Sequence, residues 1–294
     1  MNRIKNGLNN LGNTCFFNST LQLLYQCTFL NKLLITNQFE GNIINTYKNF
    51  INEYSSIDNS TITPLDIIRT VSINLSRNGS SQEDAEQYLN YIIDTLITEL
   101  HTYADLHNLK IANRNLTLKF LIDNILTIKI RKTITCINCN NKSISIDNEN
   151  KFYLPIIPDR PIIDLIINYM NEQLDSDNQY KCEKCLKYTN AQIDREIIQC
   201  PKYLIITLKR YTNLNTKIDI SVDINNNINI LNDIYELRGF IYHSGITNGG
   251  HYVYFGKRGE TWFLFNDSQI SQVPIDQINN ISKLAYVFLY SKLN

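Results

Sequence analysis

The chain has no surplus of charge of either sign, since 28 lysines and arginines balance 28 aspartates and glutamates. A nucleic-acid-binding surface ordinarily carries a basic excess, so this balance gives such a role no support. No apolar run approaches the roughly 18–20 residues that a membrane helix needs. The opening "MNRIKNGLNNLGN" is polar and lacks the apolar stretch of a secretory leader. A cystine framework is also missing, because seven cysteines without a leader do not pair into the even set of a secreted scaffold. Histidine is scarce, with only His101, His107, His243 and His251. No internal repeat and no linker divides the 294 residues. The expectation is a globular chain, 43% hydrophobic, working in the cytoplasm or nucleus without nucleic acid or membrane.

Four of the cysteines stand in two C-x-x-C pairs, Cys136 and Cys139 in "CINC" and Cys182 and Cys185 in "CEKC". Each pair puts two thiolates on one tight turn, and two turns make a tetrahedral four-sulfur site suited to zinc. A redox dithiol does not usually come in duplicate. The 42 residues between the pairs exceed the ~15–20 of a compact zinc ribbon. The pairs are therefore expected at the tips of two separate hairpins that meet in space. A closed four-thiolate site leaves no position for substrate, so one structural zinc per chain is the expectation.

A fifth cysteine, Cys15, lies in "NNLGNTCFFNSTLQLL", where turn-forming residues give way to apolar residues at helical spacing up to about Cys27. Asn13 or Thr14 reads as the N-cap, which places Cys15 in the first turn. Burial alone explains many cysteines. A helix amino terminus also lowers a thiol pKa and makes a nucleophile. Cys27 and Cys200 sit in apolar patterns and read as core. A second helix spans "SQEDAEQYLNYIIDTLITELHTY", with Ser81 as its cap and Ala85, Tyr88, Leu89, Ile92, Leu96 and Leu100 as its stripe. From Leu116 onward the chain reads as β-rich, apart from a short helix in "RPIIDLIINYMNEQL".

His101 and His107 read as surface residues at a helix end. His251 follows "NGG" and opens the strand "HYVYF", which turns through "GKRGE" into "TWFLF" and ends at Asn266 and Asp267. Pairing Phe255 with Thr261 sets His251 opposite Phe265, and pairing it with Glu260 sets His251 opposite Leu264. In either register Asn266 and Asp267 end the partner strand near the imidazole. An amide or carboxylate there can orient the ring through Nδ1–H, as the third member of a triad does.

These segments resemble the ubiquitin-specific proteases. "GLNNLGNTCFFNSTLQLL" looks like the family's cysteine box, and "HSGITNGGHYVYF" with "WFLFNDSQI" looks like its histidine box. "QEDAEQYLNYIIDTL", "PKYLIITLKRY" and "AYVFLYSK" resemble three further motifs in order, and the zinc pairs fall where the family carries them. The resemblance implies an α+β, papain-like cysteine protease fold in one catalytic domain over residues 1–294. It would have a helical thumb at about 7–120, zinc-bearing β fingers at about 125–205 and a β-rich palm mainly at 200–294. It implies a monomeric deubiquitinase acting on ubiquitin and ubiquitinated proteins. By the same match Cys15 is the nucleophile, His251 the general base, Asn266 the third triad member and Asn10 the oxyanion donor. Asp267 follows as a polar neighbour that could take the orienting role instead. Asp84 matches an acidic residue that meets the arginines of ubiquitin's tail, and Gln87 replaces a second acid beside it. Gly249 and Gly250 leave a narrow channel for the Gly-Gly end. An inactive ubiquitin-binding module and a protease for another ubiquitin-like modifier are the alternatives. Both Cys15 and His251 are present, which speaks against the first.

Overall fold

The computed structural model describes residues 5–76, 83–107, 117–212, 216–246 and 249–293. The cap assigned to Ser81 lies outside them. The helices are α1 (Cys15–Tyr25), α2 (Thr28–Thr36), α3 (Asn42–Ser56), α4 (Leu65–Asn74), α5 (Ala85–His107), α6 (Leu118–Leu126), α7 (Ile162–Met170) and α8 (Ile275–Ile281). Strands run from β1 (Gly7–Leu8), β2 (Thr61–Ile62), β3 (Ile128–Cys136) and β4 (Lys142–Glu149) to β5 (Phe152–Leu154), β6 (Asn171–Leu174), β7 (Tyr180–Cys182) and β8 (Lys187–Thr189). They continue as β9 (Ala191–Gln199), β10 (Tyr203–Leu208), β11 (Asn227–Ile230), β12 (Asp233–Ile246), β13 (Gly249–Arg258), β14 (Thr261–Asn266), β15 (Gln269–Gln272) and β16 (Val287–Lys292). No helix among the described residues is long and apolar enough to cross a membrane.

The central sheet orders its strands β15-β14-β13-β12-β16-β10-β5, with β11 paired to β12. Its middle is buried on both faces, and the period of two decides which core each side chain joins. Tyr203 and Ile205 of β10 and Val287 and Leu289 of β16 face the helices α1 to α6. Leu204, Ile206, Phe288 and Tyr290 face a second core with α7 and α8. Arg210, just past β10, is fully buried and donates to the carbonyls of Ala285, Ile218, Ile220 and Lys283 at 2.7–3.0 Å. It pins the segment after β10 to the approach to β16. Burial pushes this guanidinium down to about 10.

A second, antiparallel sheet, β4-β3-β9-β6, carries little core of its own: Leu174, Ala191 and Ile193, with Ile134 and Tyr180 packed alongside. The four metal-type cysteines lie at its end. The first C-x-x-C forms the turn from β3 to β4, and the second forms the turn of the β7–β8 hairpin.

Two expectations are corrected here. The segment after Leu116 begins with helix α6, not with a strand. Thr117 caps it by accepting from the Phe120 amide at 3.2 Å, and Leu118, Ile122, Ile125 and Leu126 face the core at helical spacing. "NEQL", expected to finish the short helix, instead forms β6 against β9. Hydrogen bonds to an available strand edge, with Leu174 buried beneath it, outweigh a local helical preference in three polar residues.

Candidate active site

Cys15 is the first residue of α1, and Thr14 stands at the N-cap without a side-chain cap bond to the helix. The Thr14 hydroxyl accepts from the Leu11 amide at 2.9 Å. α1 packs against β13 and α5 and is buried along its whole length, so the sulfur is fixed between the helical part and the sheet. Cys15 is only 3% exposed. Burial pushes its thiol up, the Tyr252 main-chain N–H pulls it down, and the charge of Asp267 adds to the rise. The helix-start amides of Cys15 and Phe16 also pull it down, as a helix terminus is expected to, but burial is the larger influence. Desolvation of a buried anion outweighs a partial dipole charge.

The Tyr252 amide belongs to the residue after His251, which places the thiol beside the start of β13. Neither bracketed hairpin register is the one formed. Arg258 pairs with Thr261 across a two-residue turn, Phe255 with Leu264 and Tyr254 with Phe265. The ladder therefore ends three residues short of His251, whose strand neighbour on the other side is Ser244. Asn266 nevertheless reaches the ring. Its Oδ1 lies 2.6 Å from His251 Nε2, and Asp267 Oδ2 lies at 3.9 Å. The orienting bond thus falls on Nε2, not on Nδ1 as expected. An amide oxygen can only accept, so Nε2 carries the hydrogen and Nδ1 is left as the basic nitrogen.

Asp267 has its backbone in the left-handed region, φ 50°, which Asp tolerates at a tight turn. Its carboxylate faces the loop before Cys15. Asn10 Nδ2 donates to Oδ2 at 2.8 Å and Asn18 Nδ2 to Oδ1 at 2.7 Å. Asn10 Oδ1 accepts from the amides of Gly12 and Thr14, each at 3.1 Å. The Leu8 amide bonds the Asp267 carbonyl at 2.8 Å, and a Cβ on Gly7 would sit 2.4 Å from the Ser268 oxygen. Only glycine lets β1 lie this close to the β14–β15 turn.

Asp84 caps α5, accepting from the Glu86 amide at 2.7 Å and the Gln87 amide at 3.2 Å, and takes the Tyr286 hydroxyl at 3.1 Å. Burial raises its pKa. Gln87 is exposed beside it. The two glycines differ. A Cβ on Gly249 would meet nothing within 4 Å, whereas one on Gly250 would strike the Ser244 oxygen at 2.2 Å and His243 Nε2 at 2.4 Å. The need for glycine at 250 is thus internal packing and not channel width.

Asn18, His243 and Tyr211 were not singled out from the sequence. His243 is buried, bonds the Tyr211 hydroxyl through Nδ1 at 2.7 Å and is pushed down to about 4 by burial. Nothing local marked Asn18, because Ser19, Thr20 and Gln22 are polar residues of the same buried helix. His101 and His107 are ordinary, pairing with Asp123 at 2.9 Å and the Tyr103 carbonyl at 3.0 Å. Cys27 and Cys200 are core residues, 0% and 8% exposed.

The sulfurs of Cys136, Cys139, Cys182 and Cys185 all lie within 4.8 Å of one another, with Cys136–Cys185 at 3.9 Å and Cys139–Cys182 at 3.7 Å. Tetrahedral zinc with bonds of about 2.3 Å sets its sulfurs about 3.8 Å apart, so these residues fit the ion. The two turns match in backbone. Asn140 and Leu186, each directly after the second cysteine, have φ of 56° and 55° and bond the first cysteine's carbonyl at 2.9 and 2.8 Å. The Thr189 hydroxyl lies 3.2 Å from the Cys136 sulfur, a contact that favours the thiolate a metal requires.

Ubiquitin carboxyl-terminal hydrolase 25 of Arabidopsis thaliana is 26% identical over 320 residues, spanning 98% of this chain and 47% of the relative. Ubiquitin carboxyl-terminal hydrolase Usp2 of Drosophila melanogaster is also 26% identical, over 97% of this chain and 34% of its own length. The chain therefore spans half or less of these two relatives. Among solved structures, the SAGA DUB module of Ubp8, Sgf11, Sus1 and Sgf73 bound to monoubiquitin superposes with a TM-score of 0.72 and 24% identity, over 99% of this chain and 69% of that one. The α+β fold, with its helical part, central sheet and cysteine-tipped second sheet, is the fold of that neighbour. The profile of the ubiquitin carboxyl-terminal hydrolases matches residues 6–290, and with a thiol, an amide-held imidazole and the fold in agreement, the chain belongs to that family.

Proposed function

We propose that this chain is a thiol-dependent deubiquitinase that hydrolyses the isopeptide or peptide bond after the C-terminal glycine of ubiquitin. The observation that carries the reading is that the Cys15 thiol takes the amide of Tyr252, the residue after His251, whose ring is held by Asn266. Cys15 gives its proton to His251 Nδ1 and attacks the glycine carbonyl. Transfer to the imidazole overcomes a thiol held up by burial, because the resulting ion pair is internal. Asn266, on Nε2, fixes the ring plane for both proton steps. Asn10 donates to the tetrahedral oxyanion, an effect worth about 2.7–4 kcal/mol per donor in other hydrolases. The imidazolium then protonates the leaving lysine amine, and water, deprotonated by the same ring, cleaves the thioester.

Asp84, Gln87 and the open space at Gly249 form the approach for ubiquitin's tail. Asp84 has both oxygens engaged, so it meets the tail with a reduced capacity to accept. The four cysteines hold one zinc, which organises the second sheet and supplies no reacting group. The chain acts as a monomer on ubiquitin and ubiquitinated proteins.

A ubiquitin vinyl sulfone probe tests the proposal. It should give one adduct at Cys15 with loss of ubiquitin-coumarin hydrolysis, and Cys15→Ala should give no adduct yet retain ubiquitin affinity within about threefold, since one thiol adds little to a large interface. An adduct only with a probe built on a different modifier would replace ubiquitin as the substrate. Failure of every such probe would leave a binding module.

A further inference from the structure

We propose that Asn18 is a positioning residue of the reaction, clamping Asp267 so that Asp267 in turn aims the amide of Asn10. The role within catalysis rests on the deubiquitinase reading above, but the clamp is a property of the side chains alone. Asn18 lies one turn beyond Cys15 in α1 and is 2% exposed. Its Nδ2 stands 2.7 Å from Asp267 Oδ1 and 3.3 Å from each of the Leu8 and Asn9 carbonyls. An amide nitrogen has two hydrogens. The short contact takes one, and the two long ones share the other.

The carboxylate of Asp267 is thus bridged by two amides, Asn18 on one oxygen and Asn10 on the other. Asn10 is fixed at both ends, its oxygen by main-chain amides and one N–H by Asp267. Its second N–H is then held in a set direction, as an oxyanion donor requires. The clamp has another consequence. Asp267 Oδ2 lies only 3.9 Å from His251 Nε2, where Asn266 makes the orienting bond. A carboxylate makes the stronger, charge-assisted bond to an imidazolium. Asp267 stays off the ring because both its oxygens are held by amides. Among the described residues, Asp267 at the β14–β15 turn and His243 on β12 are titratable neighbours of His251, and the Cys15 thiol lies at the amide of the next residue, Tyr252. Of these, Asp267 is the one the clamp restrains.

Three readouts on Asn18→Ala, Asp267→Ala and the double variant test the clamp. Asn18→Ala should lower kcat for ubiquitin-coumarin on the order of tenfold with KM within about twofold. Its Cys15 should react with iodoacetamide at close to the wild-type rate, because alkylation needs the thiolate but no oxyanion donor. The His251 ring, followed by NMR, should titrate at higher pH as the released carboxylate swings toward it. Asp267→Ala should abolish that rise, and the double variant should match Asp267→Ala in kcat, the coupling expected of residues in one chain of contacts. Alkylation falling in parallel with kcat would show that Asn18 merely seats the helix. An unmoved imidazole titration, or additive losses in the double variant, would also overturn the clamp. Should Asn18→Ala not fold, Asp267→Asn removes the same bridge without touching α1, and its kcat should fall by a similar factor; wild-type kcat there would refute the proposal. A wild type that leaves ubiquitin-coumarin intact would refute the substrate reading, and the imidazole titration would still decide the clamp.

Discussion

His251 is held by an amide at 2.6 Å while a carboxylate waits at 3.9 Å, and this difference sets what each substitution should do. Asn266→Ala removes the bond that fixes the ring and should lower kcat on the order of 100-fold. Asn266→Asp keeps an acceptor and adds charge. It should retain activity, with the limb of the pH profile where imidazolium is lost moved to higher pH. Asp267→Ala should cost less than Asn266→Ala in steady-state kinetics, and the reverse order would make Asp267 the orienter. The thiol gives a second prediction. Burial raises Cys15 above its ordinary 9.0, so in His251→Ala its alkylation should titrate above that value, whereas wild type should react at neutral pH through its ion pair. His243 gives a third. Its folded pKa is depressed to about 4 from 6.5, so below 6.5 the unfolded chain binds the proton more readily. The stability it contributes is complete above pH 6.5 and is lost as pH falls toward 4. His243→Gln should therefore flatten the decline of Tm across that window relative to wild type.

At the scale of elements, the two sheets are stabilised differently. β10 and β16 are buried on both faces between two large cores. The β4-β3-β9-β6 sheet has only Leu174, Ala191 and Ile193 as a core of its own, with four thiols at its end. So small a core offsets little of the ordering of the sheet, and the zinc proposed above would contribute to folding there. Cys182→Ser should lower zinc content, measured by mass spectrometry under native conditions, and should weaken ubiquitin binding. Hydrogen exchange should rise in β3, β4, β7, β8 and β9, while α1 and β16 keep their protection. A fully metallated Cys182→Ser protein would remove Cys182 from the ligand set. Loss of protection throughout the chain would mean that the second sheet folds as one unit with the rest.

Across the whole molecule, the site is assembled from the two ends of the sequence. α1 begins at residue 15, and β13 to β15 span 249–272. They meet because α1 lies against the sheet through β13, because Gly7 admits the turn at Ser268, and because the Leu8 amide bonds the Asp267 carbonyl. Arg258 adds a tie from the far end of the β13–β14 hairpin, donating to Gln22 and Gln26 in and just past α1. The proposed nucleophile and base are therefore carried on rigid elements, as precise positioning requires.

Much of this was legible in the residues. The period of the apolar positions determined α1 and α5, and the duplicate C-x-x-C spacing determined a four-sulfur site on two turns. The coincidence of Cys15, His251 and an Asn-Asp pair, with the family resemblance of the segments that carry them, pointed to the thiol chemistry proposed above. Tertiary structure decided the rest, for reasons that local sequence does not contain. The start of α6 is an exception, since its Thr117 cap and apolar spacing lie in the sequence and were overshadowed by the β-rich run that follows. The hairpin closed in a tighter register than either bracket, and the orienting bond moved to Nε2, because side-chain reach and not ladder pairing brings Asn266 to the ring. The thiol rose where a helix terminus alone would lower it, since burial is a property of the whole packed fold. Asn18 was silent for the same reason. An amide in a helix shows its partner only when residues 249 positions apart are folded together.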